Sequence, residues 1–463
     1  MNKLGDISIK SSNEDLVTSF NWAKKQALEY VFYSEKVGPW YEAALPGRRA
    51  FCMRDVSHHG GGAHVLGLQE HTKNMLKKFA ENISESKLWC SYWEINSNNE
   101  PAPVDYKNDK DFWYNLPANF DVMECCYRQY LWTGDREYID DPIFRNFYEK
   151  TVNDYVEEWD INQDGLLEYK DDLPSYMGIP TYMEDYVGEL KIFNGVDLLA
   201  LQYGAYNAYA EIQKLSDNMN DYKIFKEKAK KLKQLFNSNW WSEENKNYYS
   251  IQLIDGKFRG VSSTDVNCDW RLLTPVPLLF DLADSKERVK QAMDTLLQYD
   301  NSIIELESYY PEILFKHGYN NEAFDYIKDL CRENKPRREY PEVSYNVVYS
   351  IVDGMIGLKP QGETNTIETK VQLPKDVEWL EVNNIPVFDG EISIRVVKDK
   401  EIEIKNNCSG KIHWTCLLEN NISNVEVDHN LSSNINVIER DTERYCAIIA
   451  TVESNETCII NYY

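Results

Sequence analysis

Residues 196–236, VDLLALQYGAYNAYAEIQKLSDNMNDYKIFKEKAKKLKQLF, decide the fold. Val196, Leu199, Tyr203, Tyr206 and Ala210 recur at helical spacing, and after a polar turn Phe225, Ala229, Leu232 and Phe236 form a second stripe. Apolar residues three and four apart share one helix face, so this stretch reads as a pair of antiparallel helices joined by a short loop. The pattern extends in both directions. Upstream, Leu16, Phe20, Ala23, Ala27 and Val31 make one stripe, opened by Ser12 and Asp15 as a capping box. A second helix is expected from Ala63 through Leu66 and Met75 to Phe79. A third follows Pro117 and closes at Thr133-Gly134-Asp135, and a fourth starts at Pro142 and ends near Trp159. Downstream, shorter helices are expected over 271–283, 285–298, 306–317, 320–333 and 344–357, about eleven in all. Long loops such as 89–113 and 163–188 separate the pairs. After Lys359-Pro360-Gln361-Gly362 the pattern changes to alternation, as in Ile392, Ile394 and Val396, which signals half-buried strands. The expected fold is mainly α: a toroid of helical hairpins over residues 1–360 with its long loops at one mouth, then a small β-sandwich over 361–463.

Composition narrows the partners. The chain has 463 residues, with 50 Lys and Arg against 76 Asp and Glu, a formal charge of -26. That charge repels phosphate backbones and anionic lipid surfaces, so neither nucleic acid nor a membrane is an expected partner. Residues Met1 to Lys10 hold no apolar core of signal-peptide length, and no apolar run approaches a membrane span, so a cytoplasmic location is expected. The ten cysteines form no C-x-x-C pair and sit in apolar strings such as Leu88-Trp89-Cys90, which reads as buried free thiols. The 32 Tyr and 12 Trp are an unusual surplus of side chains able to stack on sugar faces.

Several motifs fail on chemistry. His59-Gly60-Gly61-Gly62 matches a lipase oxyanion motif, yet no G-x-S-x-G elbow supplies a nucleophile. His58, His59 and His64 lack the carboxylate or thiol partners of a zinc site. Asp160-x-Asn162-x-Asp164-Gly165 copies half of an EF-hand loop but places Asp171 where a bidentate Glu belongs, so an ordinary turn with Gly165 at positive φ is the better reading. No phosphate-binding glycine motif follows a strand. Carboxylates are what remain. Glycosidic cleavage needs a protonated acid at the leaving oxygen and an ionised partner that activates water or attacks directly. Glu184-Asp185 lie among aromatic rings in the loop before the fifth helix. Glu342 follows Pro341 before the last helix, and Arg54-Asp55 precede a Gly-rich turn. For each, a helix cap is an equally good reading.

The series Pro46-Gly47-Arg48, Met53-Arg54-Asp55, Thr133-Gly134-Asp135, Asp164-Gly165-Leu166, the acidic pair 184–185, and Glu342 before a helix ending Gly354-Met355-Ile356-Gly357-Leu358, in that order, resembles the six-hairpin glycosidase superfamily. It implies an (α/α)6 toroid with a small β-sandwich, and an exo-acting, inverting glycoside hydrolase that needs no metal or organic cofactor. It further implies Arg54 and Asp55 as sugar-binding residues, Asp185 or Glu184 as general acid, with Asp185 preferred, and Glu342 as base. The stretch Tyr340-Pro341-Glu342-Val343-Ser344 is similar to the β-glucuronidase-like glycoside hydrolase family 154. The active-site signature of the α-L-rhamnosidase-like branch is not matched. A uronic acid would need a cation, which Arg48, Arg49, Arg54, Arg271 or His58 could supply. Trp93, Trp113, Trp270, Tyr182 and Tyr309 are candidate stacking residues. A sugar epimerase or polysaccharide lyase on the same scaffold would instead use His58, His59 or Tyr310 for proton transfer. A non-catalytic carbohydrate-binding protein is the third reading.

Overall fold

The computed structural model describes residues 4–182, 191–260, 275–298, 303–419, 422, 424–428, 430–431, 435–440 and 443–463. Its principal helices are α1 (Glu14–Glu29), α2 (Met53–Val65), α3 (Gln69–Glu81), α4 (Ala118–Thr133), α5 (Pro142–Lys150) and α6 (Val196–Leu215). They continue as α7 (Met219–Asn239), α8 (Val276–Leu279), α9 (Lys286–Gln298), α10 (Tyr310–Lys316), α11 (Asn320–Cys331) and α12 (Pro341–Tyr349). Helix α5 runs on through a π turn at Thr151–Tyr155 to Trp159, and α12 through another at Ser350–Met355. The hairpin read from 196–236 is α6 packed on α7, with Phe225, Ala229, Leu232 and Phe236 buried between them.

Two local expectations are corrected. The helix expected from Ala63 to Phe79 is broken into α2 and α3 at Gly67, whose φ of 82° is open to glycine at little cost. Helix α1 is capped by Asn13, whose Oδ1 accepts the Leu16 N–H at 3.1 Å. The Ser12 hydroxyl instead accepts the Glu378 and Trp379 amides at 2.7 and 3.2 Å.

Helix α2 packs on α4 and α12, α4 on α6, α6 on α8, α8 on α10, and α10 on α12 and its π continuation. Alternate helices thus pass contacts from neighbour to neighbour and return to the start. The three glycines of α2 let this happen. A Cβ on Gly61 would run into the Tyr349 ring and one on Gly62 into the Tyr345 backbone, so α2 and α12 approach closely only without side chains there. The motif that mimics an oxyanion hole is a packing device.

Strands follow. A seven-stranded sheet has the order β1-β4-β5-β6-β12-β8-β9, where β1 is Ser8–Ser11, β4 Trp379–Val387, β5 Gly390–Val397, β6 Glu401–Asn406, β8 Val425–Val427, β9 Asn430–Leu431 and β12 Thr457–Tyr462. A five-stranded sheet orders β2 (Leu358–Gln361), β3 (Thr366–Thr369), β7 (Ile412–Glu419), β11 (Glu443–Val452) and β10 (Ile435–Arg440) as β2-β3-β7-β11-β10. The expected alternation holds: Ile392, Ile394 and Val396 are buried with Ile402 and Ile404 of the next strand, in one core with Trp414, Cys416 and Ile448 of the other sheet. Strand β1 pairs antiparallel with β4, Ser8 opposite Asn383, so the N-terminal segment belongs to the C-terminal sheet. The described cysteines are free thiols, nearly all buried, as expected. No described helix is long and apolar enough to cross a membrane.

Candidate active site

The N-terminal ends of α2, α4 and α12 converge on a cavity of about 1190 Å3. Register at its mouth is set by a short ladder in which Ala50–Cys52 pairs with Glu94–Asn96, Cys52 opposite Glu94, and by the Met53 amide donating to the Trp93 carbonyl at 3.0 Å. This fixes Trp93 and Glu94 beside the first turn of α2, which carries Arg54, Asp55 and His58. On α12, Pro341 occupies the first turn, where its missing N–H costs nothing, and Glu342 follows it inside the helix. Arg54, Asp55, His58, Trp93, Tyr182, Tyr309 and Glu342 all line the cavity.

Glu342 is 3% exposed, and its Oε2 has no hydrogen-bond partner among the described residues. Burial, followed by the charge of Asp55, drives its carboxyl well above the usual range, while Arg54 works in the opposite direction. Arg54 Nε lies 3.2 Å from Asp55 Oδ1, and its guanidinium sits over Tyr182 at 5.4 Å and Trp93 at 6.0 Å. A cation, two carboxyls and two aromatic faces therefore meet at one end of the cavity.

Beside them runs a relay. Asp121 Oδ2 accepts the Tyr182 hydroxyl at 2.8 Å and faces His58 Nε2 at 2.9 Å, and His58 Nδ1 meets the Tyr309 hydroxyl. Burial, with Glu342 and Asp55 nearby, holds the Tyr309 phenol far above its ordinary value. Tyr309 therefore keeps its proton; its hydroxyl and His58 Nδ1 share one hydrogen bond, and His58 Nε2 faces Asp121. Arg48 Nε lies 3.1 Å from Glu94, and Arg48 Nη2 lies 3.2 Å from Asp105. Burial raises the Glu94 carboxyl in spite of Arg48.

Other expected site residues stand elsewhere. His59, expected at the sugar, is fully buried and does not reach the cavity. It stacks on Tyr345 at 5.1 Å behind Glu342, with its Nε2 4.0 Å from Glu342 Oε2, and burial pulls its pKa down to about 3. The α2 helix turns successive residues by about 100°, which sends His58 to the cavity and His59 into the core. Trp113 does not line the cavity: its indole N–H donates to Asn115 Oδ1 at 2.9 Å, and Asn115 in turn holds the Thr181 carbonyl at 2.8 Å. Glu184, Asp185, Trp270 and Arg271 lie outside the described residues. The residues missed by sequence reasoning are Glu94, Asp121, Glu124, Arg128, Glu305 and Glu312, all on the cavity wall. Asp121, Glu124 and Arg128 carried a usable signal, a polar stripe along one face of an otherwise apolar helix.

The half EF-hand loop brings Asp160, Asp164 and Glu168 together, with ligand atoms within 4.8 Å of one another. Asp160 accepts the amides of Asp164 and Gly165 at 3.0 and 2.9 Å, Glu168 those of Ile161 and Asn162 at 2.7 and 3.2 Å, and Gly165 has a φ of 92°. These bonds are those of the expected turn.

No family model and no curated protein sequence matches the chain. Solved structures do. An α-L-rhamnosidase from Dictyoglumus thermophilum superposes with a TM-score of 0.66 at 15% identity, over 99% of this chain and 50% of that one. An α-L-rhamnosidase from Aspergillus terreus gives 0.60 at 13% identity, over 100% of this chain and 50% of the other. The Streptomyces avermitilis α-L-rhamnosidase complexed with L-rhamnose gives 0.60 at 10% identity, over 98% and 42%. The chain thus spans about half the length of the structures it matches. The likeness is one of fold: this chain has the fold of the six-hairpin glycosidase-like proteins.

Proposed function

We propose that the protein is an exo-acting glycoside hydrolase that removes a terminal sugar by carboxylate acid–base catalysis, on an (α/α)6 toroid backed by a β-sandwich; the boundary expected at 360 is shifted, because β1 (Ser8–Ser11) and β2 (Leu358–Gln361) belong to the sandwich sheets. The closed cycle of alternate helices supports the toroid. The observation that carries the function is Glu342, a buried carboxyl on the cavity wall with an unpaired oxygen beside the Arg54–Asp55 pair. As general base it would activate a water on the face of the sugar opposite the acid, which is the inverting arrangement. Its raised pKa suits that role, because a base tuned towards the working pH is stronger than a solvated Glu. The acid is assigned to Asp185 or Glu184, which follow the cavity-lining Tyr182 in sequence. Arg54, Asp55 and His58 would hold sugar hydroxyls, with Trp93 and Tyr182 as apolar platforms.

Charge balance favours a neutral or deoxy hexose over a uronic acid. Among the described residues at this end, Arg48 is engaged by Glu94 and Asp105, Arg54 by Asp55, Arg337 by Glu305, and His58 by Asp121. Among the described residues no uncommitted cation is left there for a sugar carboxylate; Arg271 lies outside them. The likeness in fold to an α-L-rhamnosidase complexed with L-rhamnose points the same way.

The test is chromatographic detection of sugars released from aryl glycosides and oligosaccharides rich in terminal rhamnose, glucose and glucuronate, by the native protein and its Glu342→Gln form. Release by the native protein alone supports the assignment; equal release by both would remove Glu342 from the chemistry. The Asp121–His58–Tyr309 relay supports a second reading, an epimerase or lyase in which Tyr309 or His58 moves a proton. A product absorbing in the near ultraviolet, or a sugar inverted at one carbon without cleavage, would establish it.

A further inference from the structure

The cavity does not end at Glu342. Helices α4 and α12 carry polar side chains along its wall: Glu124 and Arg128 lie beyond Asp121, and Asp353 lies beyond Glu342. At about 1.5 Å per residue, Arg128 is roughly 10 Å along the helix from Asp121, and Asp353 roughly 16 Å from Glu342. Helices α8 and α10 have 4 and 7 residues, against 16 and 20 for α4 and α6.

Resting on the hydrolase reading, we propose that this deeper zone, built on Glu124, Arg128, Glu312, Asp353 and Lys359, binds a further residue of a neutral oligosaccharide. Its ions are paired among themselves. Arg128 Nη2 lies 3.2 Å from Glu124 and donates to the Ser57 carbonyl at 2.8 Å, and Lys359 Nζ lies 2.6 Å from Asp353. Paired ions attract neither an anion nor a cation strongly, yet they fix polar atoms against which hydroxyls hydrogen-bond. Two groups are left for a ligand. Arg128 Nε is buried without a partner among the described residues, and the Glu312 carboxyl lines the cavity. Burial and the neighbouring Asp353 raise the Glu312 carboxyl, so near neutral pH it both donates and accepts, as sugar hydroxyls require. Tyr127, Tyr310 and Tyr349 add ring surface to the same wall. A polyhydroxylated, uncharged ligand satisfies this set; a phosphate or a sugar acid would meet Glu312 and Asp353.

The experiment is calorimetric titration of the Glu342→Gln protein, in which turnover is expected to be slowed, with glucose and mannose and with maltotriose, cellotriose and mannotriose. The expected result is a trisaccharide bound about tenfold or more tighter than its monosaccharide. Adding Glu312→Gln brings that ratio to about one. Leu131→Trp, which fills the same zone without altering its charges, does likewise and covers the case in which the Glu312 variant folds poorly. Trisaccharides that bind no tighter than monosaccharides, a ratio untouched by both substitutions, or no sugar binding at all would each overturn the proposal. The hydrolase reading fails separately, if the native protein releases no sugar while the binding ratio persists.

Discussion

The two halves of the molecule treat buried polar groups in opposite ways. Among the described residues of the β half, the buried polar ones are Thr369 and Asn406, and both are satisfied. Thr369 Oγ1 accepts the Trp414 indole at 3.0 Å; Asn406 donates to the Gly410 and Val452 carbonyls at 2.9 Å and accepts the Cys408 amide at 2.8 Å. The helical half buries Asp55, Glu94, Asp121, Asp197 and Glu342 among others, and leaves Glu342 Oε2, both ring nitrogens of His59 and Arg128 Nε unpaired among the described residues. An unsatisfied buried polar atom costs about 1–3 kcal/mol. Of these open atoms, Glu342 Oε2 and Arg128 Nε belong to residues that line the cavity, where a ligand could satisfy them; the His59 nitrogens lie behind Glu342 in the core.

The sharpest way to break this comparison is Glu342→Gln. If the open groups serve catalysis, kcat falls by about 10²–10⁴-fold, while the melting temperature holds or rises. The pH dependence has a definite sign. A carboxyl raised in the folded state keeps its proton after the unfolded chain has lost it, so stability is fully present below the unfolded value near 4.5 and is lost as pH rises through the higher folded value. The Gln form lacks that decline, and thermal melts from pH 4 upward should show the two proteins diverging in its favour. Rate against pH sharpens the role: a base gives activity that rises through the Glu342 pKa, and an acid gives activity that falls.

Asn406→Ala is the mirror experiment. It strands an amide and two carbonyls inside the sandwich and should cost about 1–3 kcal/mol, read as a lower denaturant midpoint, with kcat unchanged. A fall in kcat without a fall in stability would erase the division of labour between the halves. The smallest effect is expected at Asn13→Ala, where loss of the cap on α1 costs about 1 kcal/mol, again visible in the melt and absent from the kinetics.

The helices and strands were legible because their periods of 3.6 and 2 are written in single side chains: the stripe Phe225, Ala229, Leu232, Phe236 and the alternation Ile392, Ile394, Val396 each predict their own burial. What sequence order did not show is convergence. Glu94, Asp121, Glu305 and Glu342 come from separate segments, and only the packing of α2 against α4 and α12 brings them to one cavity. His59 was misread for the complementary reason: its neighbour His58 has the same chemistry, and only the helical rotation between them decides which meets the cavity. The break at Gly67 escaped because the apolar stripe runs through it, and the pattern says nothing about a single residue at positive φ.

The pairing of Ser8 with Asn383 has a consequence for how the chain is made. Strand β1 is synthesised some 375 residues before its partner β4. At translation rates of 5–20 residues per second, that interval is about 20–75 s. Throughout it the β1 edge lacks its partner strand, and for most of it α1 lacks α12, the neighbour against which it packs. Strand β1 is thus among the last segments of this fold to find its place.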